Sequence, residues 1–362
     1  MKKLKLLIAA GGTGGHLFPA MAVAKELEKQ SDGSVEIIFI GTENRIESKK
    51  VPEAGYKYYP MSITGFPGLR PTALLYPIKM LESIMTALRA IKNDNIKGLI
   101  CAGAYISIPP AYAAKLSRLP IFLMESNINP GKANKMLFKS AKKIFTSWEN
   151  TNSYLNSDTI SKVILTGNPV RDSILKISEI KNAKEALSFN PKQKLVLIIG
   201  GSLGARSINE IIKDNLNTIS KMDANFLWQT GSSFTDKIIL PDNIKKTEFI
   251  DDMATAYSAA DLVISRSGAT AVSELCIAGK ASILIPMAGA SNNEQYLNAK
   301  NLSNNNAAIL IENNELKDKL MTELSILLGS EEKRNVLSNK IQSFGKTNAA
   351  SEIAKSILNS FN

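Results

Sequence analysis

The sequence predicts an α/β protein with two Rossmann-like domains, each built around a doubly wound parallel sheet. Three observations support this prediction. The chain has 362 residues, which is long for a single hydrophobic core. Short apolar runs alternate with helix-length segments, as expected for parallel strands that are covered by helices on both faces. The pattern also starts twice, each time with a strand, a glycine-rich turn and a helix.

The predicted strands fall into two series. The first comprises LKLLIAA (4–10), VEIIFI (35–40), GLICAG (98–103), PIFLME (120–125) and KIFTSW (143–148). The second comprises LVLIIGG (195–201), NFLWQ (225–229), TEFI (247–250), DLVIS (261–265) and ASILIP (281–286). Gly12 and Gly201 occupy matching positions in the two glycine turns, so the architecture is repeated.

A connector separates the two series, because TGNPVRDS (166–173) contains the Gly, Asn and Pro typical of a loop. We therefore expect an N-terminal domain over 1–165 and a C-terminal domain over 166–345. An amphipathic helix predicted over about 348–361 places Ile353, Ile357 and Phe361 at helical spacing. We expect the segment 346–362 to pack back on the first domain.

The composition is that of a folded globular protein, with 44% hydrophobic and 21% charged residues. No apolar run approaches the length of about 20 residues that a membrane-spanning helix needs. Cys101 and Cys276 lie in or beside apolar segments, in no metal or redox spacing, and are predicted to be reduced core thiols. The formal charge of +11 indicates a polyanionic partner. We predict no nucleic-acid binding, because zinc-finger spacing, RNP-type motifs and Arg-rich arms are missing.

The first glycine turn has glycines at 11, 12, 14 and 15, between a strand and a helix. Such a turn suits a phosphate or a sugar oxygen, although any tight strand-to-helix connection also favours glycine. The dinucleotide fingerprint fails, because Leu17 stands where its third glycine belongs. An oxidoreductase is therefore not expected.

His16 is the chain's one histidine, and it stands where the first glycine turn becomes a helix. It is a candidate general base. The alternative is a neutral imidazole that hydrogen-bonds a ligand hydroxyl or holds the loop, since a helix N-terminus disfavours the charged form. The sequence leaves both roles open.

Polar residues of the second half also follow predicted strands. Ser202 lies in the second glycine turn, where it can cap a helix or donate to a phosphate. Glu274 follows Gly268 on a predicted helix and suits a bidentate hold on ribose hydroxyls. The cluster at 292–295 follows the strand ASILIP. Open α/β sheets bind ligands at this end of their strands.

Seven segments in this order resemble the MurG family of transferases. They are GGTGGHLFPA (11–20), ESN with PGKAN (125–127 and 130–134), TGNPVR (166–171), GGSLGARSIN (200–209), EFIDDM (248–253), RSGATAVSEL (266–275) and NEQYLNA (293–299). The resemblance extends from about residue 4 to 360. It implies the GT-B fold, in which two Rossmann-like domains face a central cleft. It further implies a UDP-GlcNAc site in the C-terminal domain and a lipid I site in the N-terminal one.

The resemblance also implies roles for individual residues. Donor binding is implied for Thr13, Gly14, Asn127, Arg171, Ser202, Phe249, Ile250, Glu274, Gln295 and Asn298. Acceptor binding is implied for Gly14, His16, Tyr105, Asn127 and Asn134, and a catalytic role for His16 and Asn127. The sequence departs from the family pattern at Ala104, where glycine is usual, and at Ser126, where glutamine is usual.

The implied activity is inverting transfer of GlcNAc from UDP-GlcNAc to the MurNAc 4-hydroxyl of lipid I, which forms lipid II in peptidoglycan synthesis. No metal and no cofactor are expected. The resemblance implies a peripheral enzyme at the cytoplasmic face of the inner membrane, acting in cell-wall biogenesis and cell division beside other cell-wall synthesis enzymes. The alternatives are a glycolipid glycosyltransferase, a UDP-GlcNAc epimerase and a non-catalytic nucleotide-sugar-binding protein.

Two segments are candidates for contact with an anionic phospholipid surface. In 72–92, Leu74, Leu75, Ile78, Leu81, Ile84, Met85 and Leu88 form an apolar helical stripe, flanked by Arg70, Lys79, Arg89 and Lys92, with Pro77 in the first turn or at a kink. Plain core packing is the alternative for this stripe. In 132–143, Lys132, Lys135, Lys139 and Lys142 are expected on one helical face beside Lys143.

Overall fold

Parallel strands form the framework of the protein in the computed structural model, which describes residues 3–66, 68, 74–201 and 203–361. The chain divides into two units. Unit 1 runs to Arg171 and takes in the chain again from Lys346, and unit 2 is Asp172–Gly345. The residues 166–171, which the sequence assigned to the second domain, thus belong to unit 1. Thr166 and Gly167 both donate backbone hydrogen bonds to the Thr146 carbonyl there.

Unit 1 contains a seven-stranded parallel sheet. Its strands are β1 (Leu4–Ala9), β2 (Val35–Thr42), β3 (Lys57–Met61), β4 (Gly98–Cys101), β5 (Ile121–Glu125), β6 (Lys143–Thr146) and β7 (Val163–Leu165). The spatial order is β3-β2-β1-β4-β5-β6-β7. In the register of the central pair, Ala9 lies opposite Cys101.

Unit 2 contains a six-stranded parallel sheet. Its strands are β8 (Lys194–Ile199), β9 (Ala224–Gln229), β10 (Ile244–Thr247), β11 (Leu262–Ser265), β12 (Ser282–Leu284) and β13 (Ile309–Leu310), in the order β10-β9-β8-β11-β12-β13. Both sheets reverse their direction of growth beside the first strand, at β1/β4 and at β8/β11. Two doubly wound α/β units are therefore confirmed.

The helices connect these strands and cover the sheets. They are α1 (Gly14–Gln30), α2 (Glu47–Glu53), α3 (Tyr76–Asp94), α4 (Ile108–Leu116), α5 (Lys132–Leu137), α6 (Ser157–Ile160), α7 (Ile180–Ala186), α8 (Arg206–Asp214), α9 (Leu216–Ile219), α10 (Met253–Ala259), α11 (Ala269–Ala278), α12 (Glu294–Asn304), α13 (Leu316–Gly329), α14 (Glu331–Gln342) and α15 (Ala349–Leu358). In unit 1, α1 and α15 pack on one face of the sheet, while α3 and α4 pack on the other.

The strand predictions hold except at one position and at the sheet edges. TEFI (247–250) was wrong as a strand, because β10 ends at Thr247 and the next residues form a loop. The sequence also missed β3, β7 and β13, which lie at the edges of their sheets. Edge strands are short and partly exposed here, so they lack the continuous apolar run that identifies a strand buried on both faces.

The predicted C-terminal helix is α15, and its apolar stripe packs against α1. Ile353, Ala354 and Ile357 are buried in the same core as Leu17 and Val23. Lys143 donates to the Ser356 carbonyl and hydroxyl, and Lys142 donates to the Ser360 carbonyl. These lysines neutralise the negative end of the helix, which is a favourable site for a cation.

The lysine face predicted over 132–143 was wrong. The helix α5 ends at Leu137, and Lys143 is the first residue of β6. Lys142 and Lys143 are bonded to the end of α15, so they do not share a face with Lys135. Lys135 instead bonds Asn129 and lies over the Tyr154 ring.

The helix predicted over 72–92 is α3, and Pro77 lies in its first turn rather than at a kink. Ile84 and Leu88 pack against the core, whereas Ile78, Leu81 and Met85 are exposed. Leu74 and Leu75, just before the helix, are also exposed. Arg70, Thr72 and Ala73 lie outside the described residues. The stripe is therefore only partly used by core packing.

Two further findings concern predictions from composition. Cys101 and Cys276 are buried and unpaired with each other, and burial raises the pKa of each thiol to about 12. Within the described ranges, the helices include none with the length and apolar character needed to span a bilayer.

Candidate active site

Several of the candidate site residues follow the central strands of the two sheets. In open parallel sheets a crevice forms at the carboxyl ends of the two strands where the order reverses, and ligands bind there. In unit 1 these strands are β1, which leads to Thr13, Gly14 and His16, and β4, which leads to Tyr105. In unit 2 they are β8, which leads to the second glycine turn, and β11, which leads to α11.

His16 lies in the first turn of α1 and is anchored to the turn that follows β4. Its Nδ1 is 2.9 Å from the Ala102 carbonyl oxygen, a contact that requires Nδ1 to carry the proton. Nε2 then presents a lone pair. Burial lowers the pKa of His16 from its ordinary value of 6.5, and the Ala102 hydrogen bond only partly opposes this. The imidazole is therefore neutral and able to accept a proton or a hydrogen bond.

The backbone beside His16 is shaped to receive the imidazole ring. Gly103 has φ +99°, and a Cβ there would lie 3.1 Å from His16 Cε1. The next residue, Ala104, has φ +58° and ψ 172°, a conformation that glycine adopts far more readily than alanine. The family's usual glycine at this position has a physical reason, and this chain has a strained alanine instead.

Tyr105 begins a short 3-10 helix after that turn and is half-buried. Desolvation raises the pKa of its hydroxyl, the positive charge of Arg45 opposes the rise, and the nearby Glu47 charge adds to it. Tyr105 follows β4, as does Ala102, which anchors His16, and it lies within electrostatic reach of Arg45 in the connection that follows β2.

A buried carboxylate organises the loop after β5. Glu125 accepts hydrogen bonds from the backbone of Asn127 at 3.0 Å, the backbone of Gly131 at 2.9 Å and the side chain of Asn134 at 2.9 Å. Burial raises the pKa of the Glu125 carboxyl, and these hydrogen bonds oppose the rise. Asn127 is largely buried and also bonds this carboxyl through its side chain.

Asn134 is almost completely buried, although the resemblance implies that it contacts the acceptor. Its amide nitrogen donates to Glu125 and to the Met124 carbonyl, and its amide oxygen is buried without a partner in the described part of the chain. It lies near His16, because a Cβ at Gly103 would approach both side chains. Asn134 thus forms part of the framework behind the loop.

Thr13 and Gly14 form the start of α1, and Phe18 links them to Arg171. Thr13 is exposed and accepts the backbone N–H groups of His16 and Leu17. A Cβ on Gly14 would lie 2.8 Å from the Phe18 ring. The guanidinium of Arg171 lies 4.9 Å from the centroid of that ring, within cation–π distance.

The second glycine turn is closed by contact between backbone segments. A Cβ on Gly204 would lie 2.0 Å from the Thr230 carbonyl oxygen, and Gly204 has φ +82°. The helix α8 follows, and its N-cap residue Ala205 supplies no side-chain cap. Ser202, the predicted diphosphate contact, lies outside the described residues.

Glu274 is held by a tyrosine from the neighbouring helix. It is only 4% exposed, and its Oε2 accepts a 3.1 Å hydrogen bond from the Tyr257 hydroxyl. A buried carboxylate oriented by a hydrogen bond can present its remaining lone pairs in a fixed direction. This suits the predicted hold on ribose hydroxyls.

Gln295 and Asn298 are joined through Ser267. The Gln295 side-chain oxygen accepts the Met287 N–H at 3.0 Å, which assigns its NH₂ group as the donor to a ligand. The Ser267 hydroxyl donates to the Gln295 carbonyl, and the fully buried Asn298 donates to the Ser267 carbonyl at 3.3 Å. Ser267 therefore links Asn298 to the backbone of Gln295, and the donor-binding roles of both residues stay predictions.

Phe249 and Ile250 lie in the loop after β10. The Thr247 hydroxyl donates to the Phe249 carbonyl at 2.9 Å, which fixes the start of this loop. The Phe249 ring is partly exposed, whereas Ile250 is buried. An exposed ring beside a fixed backbone suits a planar base.

Sequence reasoning missed two charged residues of the site. Glu47 contacts the first glycine turn. Arg266 donates to the carbonyls of residues 285 and 286 and to the side chains of Asn313 and Ser207, so it ties α8 to the loop after β12. Arg266 lies in the motif RSGATAVSEL. Its partners are backbone carbonyls and neutral side chains far away in the sequence, and no sequence pattern identifies them.

Comparison with known proteins identifies the family. Residues 6–146 match the glycosyltransferase family 28 N-terminal domain, and residues 195–357 match the C-terminal domain of that family. A protein of Phocaeicola vulgatus, named UDP-N-acetylglucosamine--N-acetylmuramyl-(pentapeptide) pyrophosphoryl-undecaprenol N-acetylglucosamine transferase, is 36% identical over 369 residues, covering 98% of this chain and 96% of that protein. The chain belongs to the MurG family.

Solved structures agree with this assignment. The crystal structure of Acinetobacter baumannii MurG matches with a TM-score of 0.74 and 27% identity, covering 99% of both chains. The S. aureus MnaA–UDP co-structure matches with a TM-score of 0.73 at 16% identity, covering 100% of this chain and 97% of that one. The second likeness shows the fold alone. The predicted fold class and the predicted glycosyltransferase family are thus confirmed, whereas the roles of the individual site residues stay predictions.

Proposed function

We propose that this MurG-family chain transfers GlcNAc from UDP-GlcNAc to the MurNAc 4-hydroxyl of lipid I and so forms lipid II. The observation that carries the proposal is the full-length identity of 36% with a transferase of that name. The site geometry supports it, because both units place polar side chains at the crevice that open parallel sheets use for ligands.

Unit 2 is proposed to bind the donor. Glu274 holds the ribose, Gln295 donates its NH₂ group to a GlcNAc hydroxyl, and the loop at Phe249 and Ile250 receives the uracil. The N-terminus of α8, which has no side-chain cap, is assigned to the diphosphate, and the family resemblance assigns Ser202 the same role. A helix N-terminus supplies backbone N–H donors and a positive potential, which stabilise the charge that builds on the leaving group.

Unit 1 is proposed to bind the acceptor, with His16, Tyr105 and Asn127 at the reacting hydroxyl. In an inverting transfer this hydroxyl attacks the anomeric carbon from the face opposite UDP, and a base must take its proton. His16 fits that role because Nδ1–H is bonded to Ala102, so Nε2 is the basic atom. A hydrogen bond from the acceptor hydroxyl to the same Nε2, without proton transfer, is the alternative role.

A radiolabel assay tests this function against its alternatives. The protein is incubated with labelled UDP-GlcNAc and lipid I, and label is expected in the lipid fraction. A diacylglycerol acceptor with UDP-glucose tests a glycolipid glycosyltransferase, and conversion of UDP-GlcNAc without acceptor tests an epimerase. Transfer that persists in excess EDTA is expected, because we propose a metal-independent reaction. Label that enters lipid only with the diacylglycerol acceptor would overturn the proposal.

We further propose that unit 1 contacts the anionic cytoplasmic face of the membrane through α3, where lipid I is available. Ile78, Leu81 and Met85 are exposed at three- and four-residue spacing on α3, and Leu74 and Leu75 are exposed just before the helix. Lys79, Arg89 and Lys92 flank these residues. An apolar surface with a basic border suits shallow insertion into a headgroup layer, and each basic residue near the surface contributes about 1 kcal/mol.

Sedimentation with vesicles tests the membrane contact. The protein is expected to bind vesicles that contain phosphatidylglycerol or cardiolipin but not neutral vesicles, and binding should weaken as salt rises. Leu81→Glu should lower binding and spare UDP affinity. Val336→Glu is the matched control, because Val336 on α14 of unit 2 is also exposed, at 49% against 62% for Leu81. Equal loss in both variants would contradict the proposed surface.

A further inference from the structure

A buried glutamate that the proposed reaction does not use lies beneath the first glycine turn. Glu47 opens α2 and is completely buried, whereas glutamates are rarely buried unless they have firm partners. Its carboxylate receives three hydrogen bonds: Gly12 N–H at 3.0 Å, Thr42 N–H at 3.1 Å and the Thr42 hydroxyl at 2.6 Å. It therefore joins the end of β2 to the turn after β1.

Two glycines make the room that this carboxylate occupies. A Cβ on Gly11 would lie 2.2 Å from Glu47 Cδ, and Gly11 has φ +143°. A Cβ on Gly41 would lie 2.9 Å from Glu47 Cγ and 2.7 Å from the Tyr58 hydroxyl. A side chain at either position would therefore collide with the Glu47 side chain. The glycines at 11 and 41 are thus explained by an internal carboxylate rather than by a bound ligand.

The hydrogen bond to Gly12 has a consequence for the residues that follow. The Gly12 N–H is directed inward to Glu47, so this amide is committed within the protein. Immediately after it come Thr13, which caps α1 by its backbone, and His16, whose Nδ1 meets Ala102. The position of the helix start, and hence of the imidazole, depends on where Glu47 holds the turn.

The segment that carries Glu47 also reaches the other acceptor-side position. The positive charge of Arg45, two residues before it, is close enough to Tyr105 to oppose the rise in the pKa of the tyrosine hydroxyl. The segment from Arg45 to Glu47 thus bonds the turn before His16 and acts electrostatically on Tyr105.

We infer that Glu47 is a positioning residue of the acceptor site, whose buried carboxylate fixes the Gly11–Gly12 turn and thereby the place and tautomer of His16. It touches no substrate in this role. The expected effect of Glu47 on turnover rests on the proposed function. The expected effect of Glu47 on His16 does not depend on any substrate.

The single histidine makes a substrate-free test available. Protein labelled with ¹⁵N at histidine, prepared without a histidine tag, gives imidazole signals from His16 alone. In Glu47→Gln the side chain offers one acceptor oxygen, and its NH₂ group must face one of the N–H donors. We expect the fraction of the Nδ1–H tautomer to fall and the titration midpoint of His16 to rise toward 6.5.

The kinetic readout is a separate arm of the same test. Because a misplacement of about 1 Å at a reacting group can cost roughly a hundredfold in rate, we expect kcat for Glu47→Gln to fall at least tenfold. UDP affinity, which belongs to unit 2, should stay within twofold. If wild-type protein transfers nothing to lipid I, the proposed function fails while the NMR arm still tests Glu47.

Asp94→Asn is the matched control. Asp94 is also a largely buried carboxylate of unit 1, but its partners Lys57 and Tyr59 lie on the edge strand β3, and within the described part of the chain it bonds neither glycine turn nor His16. The Asp94→Asn variant should leave the His16 signals unchanged. If Glu47→Gln does not fold, Glu47→Asp keeps the charge but cannot reach both Gly12 and Thr42, and a smaller shift in the same direction is expected. His16 signals that match the wild type in every folded Glu47 variant would overturn the inference.

Discussion

The two glycine turns occupy the same place in their sheets and are held in different ways. The first, after β1, is fixed by a side chain, because Glu47 accepts the Gly12 N–H. The second, after β8, packs with Gly204 against the Thr230 carbonyl, and neutral side chains donate to it, Gln229 to the Gly201 carbonyl and Ser233 to the Leu203 carbonyl. Among the described residues no carboxylate bonds the second turn. Matching glycine patterns thus hide two different local chemistries.

This difference indicates which ligand each turn suits. An internal carboxylate makes the first turn unfavourable for an additional phosphate, whereas the neutral His16 beside it suits a hydroxyl. The second turn leads into α8, whose N-terminal backbone donors have no side-chain cap. It suits a diphosphate. The comparison supports an acceptor hydroxyl in unit 1 and a UDP donor in unit 2.

The largest expected effect on folding concerns the backbone contact of the second turn. Gly204→Ala places a Cβ against a carbonyl oxygen at positive φ, which should cost about 2–5 kcal/mol of folding free energy. Gly201→Ala is the control, because Gly201 also has positive φ, at +85°, but nothing lies within 4 Å of its Cβ position. It should cost only about 1–2 kcal/mol. Chemical denaturation of the full chain, followed by a signal from unit 2, measures the loss of folding free energy in both variants. Equal losses would contradict the proposed contact between Gly204 and the Thr230 carbonyl.

His16→Ala tests the first turn. Loss of a general base costs roughly 10²–10⁴ in kcat, while UDP affinity should not change. Because burial lowers the pKa of His16, the imidazole remains neutral at pH 6.5 and above, and wild-type activity should fall only as the pH drops below that value. A pH–rate profile and calorimetry with UDP supply the measurements. Activity within a few-fold of wild type would leave His16 with a loop-holding role.

Glu274→Ala probes the donor side of the comparison. Removal of a charge-assisted hydrogen bond should weaken UDP binding by about 1.5–3 kcal/mol, or roughly 10- to 150-fold in Kd. Acceptor binding should be unaffected, because Glu274 belongs to unit 2. Calorimetry with UDP decides the matter, and an unchanged Kd in a folded variant would remove Glu274 from the donor site.

The central strands could be predicted from sequence because each depends on a local pattern, whereas most candidate site residues came from the family resemblance and their roles stay predictions. LVLIIGG predicts β8 from its apolar run, and the Gly12 and Gly201 turns identify the strand ends. The partners of the site could not be predicted. Glu47 is 35 positions from Gly12 along the chain, and the Tyr257 hydroxyl on α10 donates to Glu274 on α11. Such contacts depend on tertiary packing, which periodicity does not encode.

The lysine prediction over 132–143 failed for a related reason. Helical spacing placed Lys142 on a face with Lys135, but Ala141 leaves the helix with ψ of 138° and the chain enters β6. The end of α15, more than 200 residues away, supplies the partners of Lys142 and Lys143. Spacing predicts a shared face only where the helix continues.

The smallest expected effect concerns the tyrosine that orients Glu274. Tyr257→Phe keeps the buried ring and removes one hydrogen bond, so UDP binding should weaken by about 0.5–1.5 kcal/mol, or roughly 2- to 10-fold. Tyr56→Phe is the control, because the Tyr56 hydroxyl also donates to a glutamate, Glu28, at 3.0 Å, but in unit 1. It should leave UDP affinity unchanged. A double-mutant cycle separates orientation from packing: if Tyr257 acts through Glu274, Tyr257→Phe has no further effect on UDP affinity in the Glu274→Ala background. Additive losses in the double variant would instead show that Tyr257 supports the donor site by a route that does not pass through Glu274.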